Sequence, residues 1–368
     1  MTPKTLKEVL CEVEDFRQAK GKRHKLESIL IMAIAAIMSG YKSYSAIAEW
    51  GRNYGKEIAQ AIGFKEGKTP CVGTLNWVFR NINIESLERV LGEYFYQYVE
   101  EEALACDGKE IIGASRQLSS TIDLLSIVGQ KLGLTIAQRQ VSDKTNEIPV
   151  LQERLRDLII EGKILTMDAM HTQRETAEII VEKGADYVMI AKENQENLLE
   201  EIQTLFHNPI STPTTTQAEE TNVGHGRVEF RRLTTSSDLL GYCTWPGHNQ
   251  VFMIERFVTD KLTGKSFQEI NYGITSLSSN VSDASRLLSL VRGHWSIENK
   301  SHYVRDFTFD EDRSQAHSGN IPQALASLRN CAISLIRLAH FSNIAQACRF
   351  LAANPWLSLS FLGLPRTE

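Results

Sequence analysis

The chain has 368 residues, of which 42% are hydrophobic and 23% charged, with a net charge of −5; that length admits two domains, or one domain with a large insertion. It contains no apolar run of the roughly 18 residues that a membrane span needs, and its start, Met1-Thr2-Pro3-Lys4, leads into an acidic amphipathic stretch and not into a signal peptide. Six scattered cysteines (Cys11, Cys71, Cys106, Cys243, Cys331 and Cys348) form no Cys-x-x-Cys pair, which argues against structural zinc and for reduced thiols in a cytoplasmic protein.

Residues 1–100 read as a helical domain. Leu26, Ile29, Leu30 and Ala33 recur at helical spacing, followed by Tyr44, Ile47, Ala48 and Trp50 and by an amphipathic Val72 to Ile82. Gly40 and Gly51 are expected near helix ends. Short helices with basic residues between them (Lys20, Lys22, Arg23 and Lys25) fit either a helix-turn-helix-like DNA reader or a docking domain.

From 101 the pattern turns to strands. Leu104 to Asp107, then Ile122 to Val128 and Leu134 to Ala137, read as three strands, with a turn expected after Asp107. A helix follows from near Pro149 to Ile160, then a strand Ile164 to Met167 ending at Asp168. Glu175 to Lys183 is a helix closed by Gly184, Tyr187 to Ala191 a fifth strand, and Asn197 to Phe206 a helix. This β-β-β-α-β-α-β order is the RNase H-like plan, in which the first and fourth strands are neighbours. It brings Asp107 and Asp168 together across a mixed sheet.

Residues 207–282 read as a β-rich insertion, with a Pro/Ser/Thr loop from Pro209 to Thr216 and strands around Val228 to Phe230, Gln250 to Ile254 and Ile270 to Ile274. The first part of the core spans 101–206. It is completed by 283–345, helical from Arg286 to about Val304 and from Ile321 to Phe341, and 346–368 is left as a C-terminal tail.

Glu298 lies on the helical stretch Arg292-Gly293-His294-Trp295-Ser296-Ile297-Glu298-Asn299. Two strand-borne aspartates and a helix-borne glutamate suit two divalent ions held over a phosphodiester, because hard ions such as Mg²⁺ take oxygen ligands. The acidic net charge does not exclude DNA, since phosphate contacts need only local patches. Such patches occur at Arg227, Arg231 and Arg232 and again at Arg286, Arg292, Lys300, Arg305 and Arg313. Lys109, His171, Arg227, Arg292 and Lys300 are candidate DNA contacts, with helix capping the alternative for His171. Asn146 and Glu147 are expected to cap a helix, and Trp295 to pack. His225 is a further candidate contact beside Arg227.

The motifs Gly21-Lys22-Arg23-His24, Ser43 to Trp50, Asp107-Gly108-Lys109 and Lys144 to Pro149 continue downstream as Asp168 to Ala177, Gly184 to Tyr187, His225 to Glu229, Tyr272 to Leu277 and Arg292 to Ser314. Together they resemble the insertion-sequence DDE transposases, in the branch that includes the H-repeat-associated proteins. The resemblance implies an RNase H-like core with a β-strand insertion, a family-associated N-terminal domain, and Asp107, Asp168 and Glu298 as a triad for two Mg²⁺ ions, with Mn²⁺ as substitute. It implies cleavage of double-stranded DNA at terminal inverted repeats and strand transfer into target DNA; pairing two ends then implies a homodimer. Two departures bear on activity. The family's Thr-Leu-Arg-Gly after Asp-Gly-Lys is replaced by Glu110-Ile111-Ile112-Gly113, and the wider group's Tyr, Arg and Lys around the glutamate fall on Val291, His294 and Arg305. Phosphate steering would rest on His294 and Arg305, with Arg292 a further candidate. The alternatives are a decayed or repurposed DNA-binding protein of the same fold, and an RNase H-like nuclease without strand transfer.

Overall fold

Helical spacing in the first hundred positions becomes six helices in the computed structural model, which describes residues 4–20, 22–99, 103–115, 122–141, 146–208, 212–224, 226–364 and 366. They are α1 (Leu6–Leu10), α2 (Leu26–Met38), α3 (Tyr44–Asn53), α4 (Gly55–Ile62), α5 (Val72–Asn81) and α6 (Ile84–Tyr96). Every residue of α2 from Ser28 to Met38 is buried, so it is a core helix without a solvent stripe. Gly40 follows it at φ +83, as a helix stop should. Gly51 is two residues from the last residue of α3, near a helix end as expected. It lies inside α3, where a Cβ would come 2.7 Å from Met32 Sδ, so close helix packing and not chain reversal requires the glycine.

The expected strand succession follows: β1 (Ala103–Glu110), a one-turn α7 (Ile112–Ser115), β2 (Asp123–Gly129), β3 (Thr135–Val141), α8 (Glu147–Asp157), β4 (Ile164–Met167), α9 (Arg174–Glu182), β5 (Asp186–Ala191) and α10 (Glu196–His207). Asp107 is within β1, not followed by a turn; the strand runs on to Glu110, past the end of its pairing with β4 at Cys106↔Met167. Strands β6 (Thr215–Gly224), β7 (Arg227–Ser236), β8 (Gln250–Asp260) and β9 (Ser266–Thr275) come next. The nine strands form one mixed sheet in the order β3-β2-β1-β4-β5-β9-β8-β7-β6. β4 is parallel to both β1 and β5, while β5 meets β9 antiparallel and β9 to β6 form an antiparallel meander. The β-rich segment therefore prolongs the core sheet. β6 was not expected, because its sequence (Glu219, Glu220, Thr221 and Asn222 among it) lacks apolar alternation; as an edge strand it needs none.

The chain then forms α11 (Ala284–His294), two π-helical turns (Glu298–His302 and Val304–Thr308), α12 (Ile321–Leu338), α13 (Ile344–Ala353) and α14 (Pro355–Phe361). Residues read as a tail thus form helices, and Ala347, Leu351 and Leu359 among them join the core. Gly21, Lys144, Thr145 and His225 lie outside the described residues.

Two compact units result. One comprises Met1–Glu100, Gly108–Thr145 and Ile297–Glu368, the other Glu101–Asp107 and Asn146–Ser296. In the first, the N-terminal helices and α12 share one core, and α12 is buried from Ile321 to Ile336. α6 lies against β3 at Gly92, where a Cβ would stand 2.3 Å from the Ile136 carbonyl oxygen. At this seam Glu88 Oε1 accepts from Gln138 Nε2 (2.9 Å), Gln323 Nε2 (3.0 Å) and Ser327 Oγ (3.2 Å). Burial pushes the Glu88 carboxyl up to about 7, against those hydrogen bonds. In the second unit, Ile164, Val188, Phe252 and Ile254 of the sheet pack with Leu287 and Leu288 of α11.

Candidate active site

β4 reads Ile-Leu-Thr-Met and is buried at all four positions, as a central parallel strand covered on both faces should be. Its pairing with β1 ends at Cys106↔Met167, so Asp107 and Asp168 are the next pair in register. Strand spacing sets their backbones about 4.8 Å apart, and strand alternation sets them on the face that carries Ala105 and Thr166. Asp168 keeps extended geometry (φ −76, ψ 179) as the chain leaves β4. Its Oδ1 is buried and makes no hydrogen bond.

Thr166, Asp168 and His294 line one cleft of about 140 Å³ in the second unit. Thr166 Oγ1 donates to the Leu104 carbonyl (3.2 Å) and lies 3.1 Å from His294 Nδ1. With its proton committed to Leu104, the hydroxyl accepts from Nδ1–H, leaving a lone pair on Nε2. Burial pulls His294 down to about 4, although the Asp168 charge opposes it. Burial thus favours the neutral imidazole near pH 7.

The other walls carry the positive charge. Lys192 follows β5 as Asp168 follows β4, and both line the cleft with Arg231, Arg256 and Arg292. The guanidinium carbons of Arg256 and Arg231 lie 4.9 and 5.8 Å from the Trp295 ring centre, within cation–π range. Trp295 was expected to pack but is 42% exposed. Glu229 joins the arginines, bonded to Arg231, to Arg256 (3.2 Å) and to Arg227 (2.6 Å). Burial would raise its carboxyl, but the Arg256 hydrogen bond and the Arg231 and Arg256 charges outweigh that and hold it low. Arg292 pairs with Glu220 and Arg227 is about half exposed. Lys192 and Arg256 were not foreseen. The signal for Lys192 was its place after a parallel strand, where ligands gather; for Arg256, buried inside a strand pattern, the sequence carried none.

Several candidates sit elsewhere or are otherwise engaged. His171 is fully buried, its Nε2 3.2 Å from Glu147 Oε2, and so presents no surface to DNA. Asn146 caps α8 by accepting from the Ile148 amide (3.1 Å), as expected. In the first unit, Glu298 opens a π-helical turn and is exposed; such turns recur at functional positions. Lys109 pairs with Asp306 at 2.7 Å and is 8% exposed, and Lys300 Nζ donates to the Gln130 and Lys131 carbonyls at 2.7 Å each. Arg305, expected to steer phosphate, is wholly buried instead. Its Nη2 lies 2.6 Å from Glu311 Oε2, and Arg329 Nη1 lies 2.8 Å from Glu311 Oε1. Burial opposes the charge on Glu311, but the two guanidiniums hold its carboxyl down to about 2. A carboxylate and not phosphate occupies that arginine. Among the described residues, no group of three or more His, Cys, Asp or Glu side chains stands ready to hold a metal.

An aspartate just past a central parallel strand, in a cleft walled by arginines, belongs to a chain whose residues 104–335 match the transposase DDE domain and whose residues 7–95 match the domain associated with it. The chain belongs to the DDE transposase family. Within it, the sequence is similar to YncI of Escherichia coli O157:H7 (26% identical, covering 92% of this chain and 88% of the relative). It is likewise similar to the H repeat-associated protein YhhI of Escherichia coli K12 (26% identical, 91% of each chain) and to the H repeat-associated YbfD of the same strain (29%, 63% of this chain and 93% of the relative). A remote likeness, at 11% identity and a TM-score of 0.45, covers 97% of this chain and 76% of a chain in a piggyBac transposase synaptic complex with hairpin DNA.

Proposed function

We propose that this transposase cuts double-stranded DNA at terminal inverted repeats and joins the freed 3′-hydroxyls to target DNA, with Asp107, Asp168 and Glu298 holding two Mg²⁺ ions, or Mn²⁺ in their place. The observation that supports the reading is the parallel register of β1 and β4, whose last pair is Cys106↔Met167, so that Asp107 and Asp168 are the residues that follow that pair. The buried, unbonded Oδ1 of Asp168 fits a cation, since a buried carboxylate oxygen left unpaired is unfavourable. Glu298 would complete an all-oxygen donor set suited to a hard ion. Ions bound there would lower the pKa of water and neutralise charge building on the phosphate.

The chain's own residues do the rest. Asp107 and Asp168 fix the site on rigid strands, so the reacting phosphate is positioned by the sheet and not by a loop. Neutral His294, oriented by Thr166, offers its Nε2 lone pair as a hydrogen-bond acceptor beside Asp168. Arg231, Arg256 and Arg292 give the wall a fixed positive field for the DNA backbone, which orients a strand without reading its sequence. No side chain is needed as a covalent nucleophile. The RNase H-like plan, a homodimer that pairs two DNA ends, and work at the bacterial nucleoid belong to the same reading.

The test is a cleavage assay on DNA carrying the element's ends, with Mg²⁺ or Mn²⁺, comparing wild type with Asp168→Asn. Metal-dependent cuts at the ends should fall by at least about 10²–10³-fold in the variant, the scale for losing one charge-stabilising group at a reacting centre. A folded wild type that binds the ends but never cuts them would leave the decayed or repurposed reading standing. Joining of a pre-cut end would separate a transposase from a plain nuclease.

A further inference from the structure

The N-terminal helices of the first unit carry a second basic cavity, which the reading above does not use. It has a volume of about 880 Å³ and is bordered by Lys20, Arg23, His24, Gly73 and Trp77. Four features of its wall point to one kind of ligand. Among the described residues, Lys20 and Arg23 have no ion-pair partner, whereas Arg17 and Lys22 nearby are both tied to Asp15 (2.8 and 2.9 Å). Two exposed positive charges thus remain for a ligand. Trp77 is 50% exposed, and Phe16 backs its ring at a centroid distance of 5.2 Å. The ring therefore offers a supported apolar face to solvent.

The N-terminal turn of α5 forms another part of the wall. Its cap, Cys71, makes no side-chain cap hydrogen bond, and a Cβ built on Gly73 would meet nothing within 4 Å. The turn opens onto free space, where its amides favour an anion. His24 is the independent mark of a missing partner. It is 91% buried, judged from its 9% exposure, it lines the cavity, and its Nδ1 makes no hydrogen bond. Its ring is fixed edge-on to Phe64 at 5.3 Å.

We infer that this groove binds a single strand of DNA, with phosphates against Lys20, Arg23 and the α5 N-terminus and one unpaired base stacked on Trp77. A positive groove with an exposed aromatic platform is how proteins hold unpaired strands. The aromatic face selects the strand over the duplex, because paired bases are already stacked on both faces. The inference rests on DNA being the substrate of this chain only for the source of the strand; such strands arise wherever ends are opened for cutting or joining.

Binding is therefore read without metal, so that failure of cleavage and failure of the groove are told apart. The full chain, in EDTA, is titrated into a fluorescent thymidine strand of about 12 nucleotides, within the roughly 4–16 nucleotide footprint of such grooves. A duplex of equal length is the comparison. Lys20→Glu/Arg23→Glu, at exposed positions where folding is not at stake, should weaken strand binding about tenfold or more and flatten its salt dependence. Trp77→Ala should weaken the strand about fivefold or more and leave the duplex within twofold, whereas Trp77→Phe keeps most of the strand affinity. Unchanged strand affinity in the charge-reversed protein would overturn the groove. Equal losses for strand and duplex in Trp77→Ala, or no loss, would overturn the stacked base.

Discussion

The two units solve the same electrostatic problem in opposite ways. Each gathers arginines around one glutamate: Arg305 and Arg329 on Glu311 in the helical unit, Arg231, Arg256 and Arg227 on Glu229 in the sheet unit. In the first cluster every side chain is 0–2% exposed, and the charges are spent on one another. In the second, Arg256 is 18% and Arg227 49% exposed, and a half-exposed tryptophan lies under two of the guanidiniums. The difference teaches that a basic residue near a catalytic motif says nothing of its use until its burial is known. Buried, it is a clamp whose removal unbalances the core; at a cleft wall, it is a fixed charge that a phosphate can share.

The sharpest way to break this comparison is Glu311→Gln, which strands two buried arginines. It should destabilise the protein by about 3–5 kcal/mol, read by urea unfolding. A loss below about 1 kcal/mol would mean the cluster is not a clamp.

Glu88 sharpens the contrast within the helical unit. Its carboxyl is raised from 4.5 to about 7, so protonation favours the fold; the associated stability is full below about pH 4.5 and is lost as pH rises through 7. Glu311 has the opposite sign. It is held at about 2, so its contribution is present above about pH 4.5 and lost as pH falls toward 2. Glu88→Gln should therefore raise stability at pH 8 by on the order of 2 kcal/mol and leave it nearly unchanged at pH 4.5. Equal shifts at both pH values would show that the carboxyl does not titrate in the seam.

In the sheet unit, Arg256→Ala should lower DNA affinity about tenfold and reduce the slope of log K against log salt by about 0.9, the share of one phosphate contact. An unchanged slope would assign Arg256 to the Glu229 cluster alone. The smallest effect is expected from His294. Its ring resonances, followed by NMR, should stay constant between about pH 5 and 8 and move only near 4; a step near 6.5 would restore it as a phosphate-steering cation.

Much of the scaffold was legible because period carries it. Ile164 to Met167 and Tyr187 to Ala191 are apolar runs of strand length closed by polar residues, and the expected strand order set β1 beside β4, as the sheet has them. What was illegible depends on partners far away in the chain. Nothing in Val304-Arg305-Asp306 announces that the arginine will face Glu311 and not a phosphate. Edge strand β6 has the composition of a loop, because its stability comes from hydrogen bonds to β7 and not from a buried face. Residues 346–368 read as a tail, yet Asn343 caps α13 and Asn354 and Pro355 open α14.

α12 carries a consequence for how such a chain can be shortened. A helix buried from Ile321 to Ile336 needs cover on every side, and α2, α5 and α6 of the segment before the catalytic domain supply part of it. The two family segments, 7–95 and 104–335, are separable as patterns of sequence but meet in one core. A fragment that began at β1 would bare a long apolar helix to water and behave as an aggregation-prone remnant.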